Sequence, residues 1–450
     1  MDDQIFIVFG GFLSVFLSFL FWRQATFFVM YWIIIVGAVR KWVFPQYADF
    51  LFFSSHVILT GVYARILIRN YRLKTNKLTT FFLTLMVLWG FASIFNPRSP
   101  DIRVGVLGFI IHFYFLPLAF VVPQLFRSHK ELVRFLKGYA LFSFPILILG
   151  VVQFLSPANS FLNKYVSETT DIAMVGKYPR ITGTFSYISG YGAYLNAMVV
   201  ILTYLISIKN LSFFWRFVYS ALIPLSIVNL FMTGSRGSLG VSLFTMVMFF
   251  FVASKLGVRF ILRIIPRLAI VLILAFGFLT VSSGAKTAYN AFKVRAEEGR
   301  DVSARLLDTF TPFKFLDTAG LIGWGIGTTY QGAARFASQW GGMTRDFEEE
   351  PERVLLELGL IGYFLIFFCR LLLIFEFWRL FNRLRHVDFK LLALSSLLFQ
   401  VQFLQLTSLI FNHTSSVFYW FFVGFLFLLP RLDIIHERPE KENHTVVGAA

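Results

Sequence analysis

Apolar residues fill most of the chain in runs close to 20 residues long, broken by short polar stretches in which Lys and Arg dominate. A helix takes about 20 apolar residues to cross roughly 30 Å of hydrocarbon, so each run predicts a spanning helix. The runs lie near residues 4–22, 25–39, 50–68, 78–95, 104–125, 136–155, 184–207, 213–232, 238–254, 268–283, 352–378, 391–411 and 414–430. The second is short enough to be re-entrant, which makes the total about twelve or thirteen. The first follows the acidic Met1-Asp2-Asp3-Gln4 and lacks a basic leader and a small-residue cleavage site, so it reads as a span and not as a cleaved signal. The predicted fold class is an all-α integral membrane protein. About ten spans occupy 1–283, one large polar loop 284–351, the C-terminal spans 352–430 and a polar tail 431–450. No internal repeat of 20–50 residues is visible.

The polar connections predict orientation, because Lys and Arg in short loops resist translocation. Arg69, Arg72, Lys74 and Lys77 form one cluster, and Arg127, Lys130, Arg134 and Lys137 a second. Lys209 with Arg216, then Lys255, Arg259, Arg263 and Arg267, then Arg379, Arg383, Arg385 and Lys390 continue the alternation. All are expected on the cytoplasmic face, together with the tail. Arg40 and Lys41 are the one basic pair that falls on the opposite side. That side also receives residues 96–103, residues 156–183, the turn Gly234-Ser235-Arg236-Gly237 and the long loop, which is where chemistry is expected because loops of that length are usually functional.

Composition removes the soluble alternatives. The chain is 57% hydrophobic and 14% charged with a mean hydropathy of +0.71, against roughly 25% charged in a soluble domain. The net charge of +17 sits in short clusters between apolar runs, so the expected partner is the lipid bilayer and not a nucleic acid. The single cysteine, Cys369, lies inside an apolar run and leaves neither an internal disulfide nor a cysteine metal site.

Several charged residues fall where a membrane protein could use them. Arg180 opens Arg180-Ile181-Thr182-Gly183-Thr184-Phe185 at a membrane boundary, and Arg236 sits in a tight turn among Gly234, Gly237 and Ser238. A guanidinium presents a planar fork of donors that suits an anionic diphosphate, although an arginine there can also serve as an interfacial anchor. Arg305 lies on a predicted amphipathic loop helix within Lys293–Leu307. Before the span at 352 comes Asp346-Phe347-Glu348-Glu349-Glu350, followed by Glu352, Arg353 and Glu357. Crowded, partly desolvated carboxylates have a raised pKa and make a general base for a sugar hydroxyl; the alternative is a solvated helix start in which acids favour the N-terminal dipole. Glu357 falls one turn further into the membrane, where an ionisable residue is a functional candidate. His56 and His112 lie in apolar runs and read as helix-packing hydrogen bonders. No nucleotide-binding Gly-rich loop with Lys, no HExxH and no GxSxG is present, so no bound nucleotide, metal or other cofactor is expected.

The order of these pieces resembles a known family. Arg180-Ile181-Thr182-Gly183-Thr184-Phe185, then Gly234-Ser235-Arg236-Gly237, then Ser303-Ala304-Arg305, then Gly323-Trp324-Gly325-Ile326-Gly327-Thr328, then Glu357-Leu358-Gly359-Leu360-Ile361-Gly362 together resemble the O-antigen ligase and O-antigen polymerase superfamily of bacterial envelope polysaccharide proteins. The resemblance implies metal-independent glycosyl transfer at the periplasmic face of the inner membrane, with a sugar chain on undecaprenyl diphosphate as donor. Arg180, Arg236 and Arg305 would hold the diphosphate, with Arg353 as a further binding residue. Ligase-type members carry a histidine in the outer loop, whereas residues 284–351 contain none and offer Glu348, Glu349 and Glu350 instead. That departure favours a polymerase of lipid-linked repeat units with a glutamate as base, and leaves His413 as a distant candidate. A ligase acting on another acceptor and a lipid-linked oligosaccharide flippase are the alternatives. A chain-length regulator and a flippase are the protein partners such a polymerase implies.

Overall fold

The computed structural model describes residues 2–69, 76–166, 172–175, 178–209, 211–257, 312–336, 349–404 and 407–435. The span expected at 268–283, the loop helix with Arg305, the acidic Glu348 and the tail from 436 onward lie outside the described residues. Within them the chain forms α1 (Asp2–Leu20), α2 (Trp22–Ala38), α3 (Ala48–Ile68), α4 (Lys77–Ala92), α5 (Ile102–Phe113), α6 (Leu118–Leu125), α7 (His129–Leu155), α8 (Ile188–Ser207), α9 (Phe213–Met232), α10 (Arg236–Lys255), α11 (Glu350–Arg383), α12 (Val387–Val401) and α13 (His413–Val423). Two short antiparallel strands, β1 (Met174–Val175) and β2 (Tyr178–Pro179), pair Val175 with Tyr178.

Among the described residues ten helical segments are long and apolar enough to cross a membrane. α5 and α6 together make one of them, Ile102–Leu125, and α13 continues into another, His413–Ile435. Polar side chains start several of these helices by accepting from otherwise orphaned backbone donors: Asn76 from Leu78 N–H, Asp101 from Arg103 N–H, Ser128 from Glu131 N–H and Asn412 from Ser415 N–H. α8 is the hub of the bundle. It packs against α7, α9, α10, α12 and α13, and 89% of its spanning stretch is buried. Phe12, Phe81, Phe213 and Phe251 on peripheral helices instead turn outward, an arrangement that suits lipid and not water.

Contacts sort the helix ends into two groups. At one end, Arg23 of α2 pairs with Glu131 at 2.8 Å, Asn76 bonds Glu376 of α11, and His386 bonds Asp433. The described members of the Lys/Arg clusters at 127–137 and 379–390 lie at this basic end. At the other, the loop end, α2 meets residues 182–186 and the loop 320–329 meets α4, α5 and α11.

Two predicted spans differ from the observed chain. The run at 352–378 is not one helix. α11 breaks at Gly359, whose φ of 68° and ψ of −173° are open to glycine alone, into a short arm (350–358) and a long arm (360–383). Glu357 is therefore not one turn deeper in a continuous span but the last turn of the short arm. The run at 391–411 also stops early, because α12 ends at Val401 and the chain turns back over the short arm, where Leu409 and Ile410 donate to Glu350.

Candidate functional site

The Gly-rich loop is the part that fits the break in α11. Trp324 N–H donates to Leu356 O at 2.8 Å and Gly325 N–H to Glu357 O at 3.0 Å, while Leu360 N–H donates to Gly320 O and Ile361 N–H to Leu321 O. The loop thus supplies the partners that the interrupted helix loses. A Cβ on Gly323 would stand 2.5 Å from Glu357 O, and one on Gly327 would stand 2.7 Å from the Cα of Gly108 on α5, so only glycine permits this approach.

A buried carboxylate organises the residues around this junction. Glu357 Oε2 accepts from Gly327 N–H at 2.9 Å, and its Oε1 accepts from Thr329 N–H at 2.9 Å and Thr329 Oγ1 at 2.6 Å. His112 of α5 places Nε2 3.2 Å from Glu357 Oε2, out of line for a full hydrogen bond, and anchors its Nδ1 on Gly108 O at 2.8 Å. Arg353, one turn earlier on the short arm, donates to Thr329 Oγ1 and O and lies flat over the Phe411 ring at 3.4 Å. Its guanidinium is thereby committed to protein partners.

Two of the described acids of this stretch are engaged in the same way. Glu350 is buried; Oε1 accepts from Arg370 Nη2 at 2.5 Å, and Oε2 accepts from Ser408 Oγ, Leu409 N–H and Ile410 N–H. Glu352 pairs with Lys314 at 2.8 Å. Glu349 is half-buried at the start of the arm. Glu350 and Glu352, two positions apart on the short arm, thus each face a different basic partner, Arg370 and Lys314.

The second cluster at the loop end is basic. Arg180 Nε donates to Thr233 O at 2.7 Å and Ile181 N–H to Met232 O at 3.5 Å, which sets the 180–185 motif against the turn that carries Gly234 and Arg236, the first residue of α10. Tyr165, whose phenol burial pushes up to about 12, stays protonated and donates to Arg180 O at 3.3 Å. Past the end of α2, a π-helical turn over Val39–Val43 delivers two more basic side chains to the same motif. Lys41 Nζ, buried, donates to Thr182 Oγ1 and Gly183 O, both at 2.9 Å; Arg40 Nη1 donates to Ser186 Oγ at 2.6 Å and its guanidinium lies over Phe52. Gly37 allows the close approach, since a Cβ there would meet Ser186 N at 2.5 Å. Sequence reading missed Arg40 and Lys41 as site residues. Their signal was present as the basic pair on the wrong side of the charge alternation.

The segment 408–414 joins the two clusters. Phe411 stands between Arg353 and His112, Asn412 Nδ2 donates to Ser189 O just beyond the 180–186 motif, and the half-buried His413 packs on Phe52, beneath Arg40, and on His56. Of the expected site residues, Arg180 and Arg236 fall in the basic cluster and Arg353 in the carboxylate cluster. Glu350 is an internal clamp, and Arg305 and Glu348 lie outside the described residues. No group of three His, Cys, Asp or Glu able to hold a metal ion occurs among the described residues.

Fold and ends together define a multi-pass, helical membrane protein whose polar apparatus gathers at one end of the bundle. No family model and no curated protein matches the chain.

Proposed function

We propose that this protein is a membrane glycosyltransferase that joins oligosaccharide units carried on undecaprenyl diphosphate into a surface polysaccharide at the periplasmic face of the bacterial inner membrane. The observation that carries the reading is the gathering of Arg40, Lys41, Arg180 and the Arg236 turn around one segment, 180–186. Cations fixed beside a membrane boundary suit a lipid diphosphate, and hold their charge ready for the negative charge that grows as the diphosphate leaves. The positive-inside rule puts the basic end in the cytoplasm and this cluster outside.

Glu350 is poorly suited to act as base, since both oxygens are bonded and the group is buried. His413, half-buried beneath Arg40 and packed on Phe52 and His56, is a positioning residue at the edge of this cluster; the anomeric carbon–diphosphate bond breaks as the new glycosidic bond forms, and the proton of the attacking hydroxyl leaves with the diphosphate. Glu357, His112 and Arg353 shape the neighbouring wall.

Surface polysaccharide in a deletion strain, complemented with wild type, Arg180→Lys or His413→Ala at matched membrane levels, tests this. The expected result is loss of polymer with single lipid-linked units left on the outer face in the deletion strain and both variants. Units left on the cytoplasmic face point to a flippase, and full-length polymer never attached to its acceptor to a ligase.

A further inference from the structure

At the basic end, far from both clusters, α4, the α5–α6 segment, the last turns of α11 and the stretch ending at Ile434 enclose a groove of about 940 Å³. That is near the top of the range of roughly 300–1,000 Å³ typical of small-molecule sites. Its walls are apolar, formed by Leu83 and Val87 of α4 and by Phe120 stacked on Phe427 with ring centres 5.7 Å apart. Its rim is cationic, with Arg379, Arg383 and Arg385 in and just past the final turns of α11.

The two acids along this rim are already engaged. Glu376 accepts from Asn76 Nδ2 at 2.6 Å and Arg379 at 3.1 Å, and Asp433 accepts from His386 Nδ1 at 2.7 Å and from the backbone N–H groups of Arg385 and His386. Arg383 is exposed and makes no hydrogen bond or ion pair with a described residue. The groove also holds an unsatisfied donor. Thr80 bonds back to Asn76 O at 3.0 Å in the usual helical manner, but its neighbour Thr79, buried and lining the groove, has a hydroxyl with no partner among the described residues. A hydroxyl left unpaired in apolar surroundings is costly unless a ligand supplies the acceptor.

We propose that this groove is a lipid site for one anionic phospholipid, with its acyl chains along Leu83, Val87, Phe120 and Phe427, its phosphodiester at Arg383 and Arg385, and an ester carbonyl accepting from Thr79. Apolar walls beneath a cationic rim match an amphiphile with a negative head, the pattern by which basic pockets between spanning helices hold acidic lipids. The first seven residues of the chain's own tail, His436-Glu437-Arg438-Pro439-Glu440-Lys441-Glu442, are polar and do not match those walls.

The full-length protein, delipidated in detergent and titrated separately with phosphatidylglycerol and phosphatidylcholine under native mass spectrometry, tests the site. Wild type is expected to hold one phosphatidylglycerol at least ~10-fold more tightly than phosphatidylcholine. Arg383→Ala should erase that preference, and Thr79→Val should weaken both lipids without lowering the melting temperature, because it removes an unpaired hydroxyl. Equal binding of the two lipids by wild type, or an undiminished preference in Arg383→Ala, overturns the proposal. So does a variant ending at Ile435 that gains lipid binding ~10-fold, since the tail would then be the native occupant.

Discussion

Glu350 and Arg370 stand 20 residues apart in α11, yet Arg370 Nη2 donates to Glu350 Oε1 at 2.5 Å. A straight helix would hold them about 30 Å apart. The contact exists because Gly359 folds the short arm back along the long one, and Arg370 Nη1 then ties the same pair to Phe403 O at 2.7 Å. Removing one partner leaves a buried charge without compensation. Arg370→Met should therefore lower stability by about 3–5 kcal/mol, and adding Glu350→Gln should restore part of it, because the amide oxygen still accepts from the Leu409 and Ile410 N–H groups and no charge is left buried. Thermal melts of the detergent-solubilised single and double variants check this; no recovery in the double variant would mean the two do not act as a pair.

The break itself gives a second expectation. A Cβ on Gly359 would stand 2.3 Å from Leu321 O at a φ of 68°, whereas one on Gly237 meets nothing within 4 Å. Gly359→Ala should lower the melting temperature sharply, the strained backbone alone costing about 1–3 kcal/mol before the steric clash is added. Gly237→Ala should leave stability unchanged. Equal melting temperatures for the two would contradict the break.

Glu357 holds Gly327 and Thr329 through three donors. Glu357→Gln turns one oxygen into a donor that faces another donor, leaving one of them unpaired at a cost of about 1–3 kcal/mol. Hydrogen exchange should quicken over 325–330 while α7 and α8 keep their protection. Uniform loss of protection would assign Glu357 a global role instead.

On the proposed glycosyl transfer, Arg40→Ala should reduce polymer formation about 10²–10³-fold at normal membrane abundance, the range seen when one charge-stabilising donor is lost. Arg134→Ala, at the basic end, should not. A strong defect from Arg134→Ala with none from Arg40→Ala would place the donor site at the wrong end of the bundle.

Asp101 offers a pH test outside the spans. The hydrogen bonds from Arg103 hold its carboxyl below the ordinary range while it caps α5. A depressed folded value means the contribution is present above the ordinary carboxylate pKa and fades as pH falls through the lowered one. Hydrogen exchange at 102–105 should therefore loosen only under strong acid, and in Asp101→Asn that acid dependence should vanish.

The spans were legible because hydrocarbon thickness imposes a length that hydropathy reveals, and the ends sorted by charge because the Lys and Arg clusters are short and regular. What stayed hidden depends on who meets whom. Glu348, Glu349 and Glu350 read as a crowd of carboxylates, but helical geometry turns Glu350 toward Arg370 and Glu352 toward Lys314. Arg40 and Lys41 broke the charge pattern without saying why; the reason is Thr182, Gly183 and Ser186, some 140 residues away in sequence. The Gly-rich stretch 323–327 was visible as a pattern, but its target, a gap in another helix, is set by long-range packing.

That gap bears on how the chain is built. The short arm of α11, about 13 Å long at 1.5 Å per residue, is too short to cross a bilayer and carries Glu350, Glu352, Arg353 and Glu357. An insertion machinery that selects segments by length and greasiness has no reason to admit it alone. Synthesis, however, delivers 320–329 before 350–358, so the loop that supplies Gly327 and Thr329 to Glu357 exists before its guest is made.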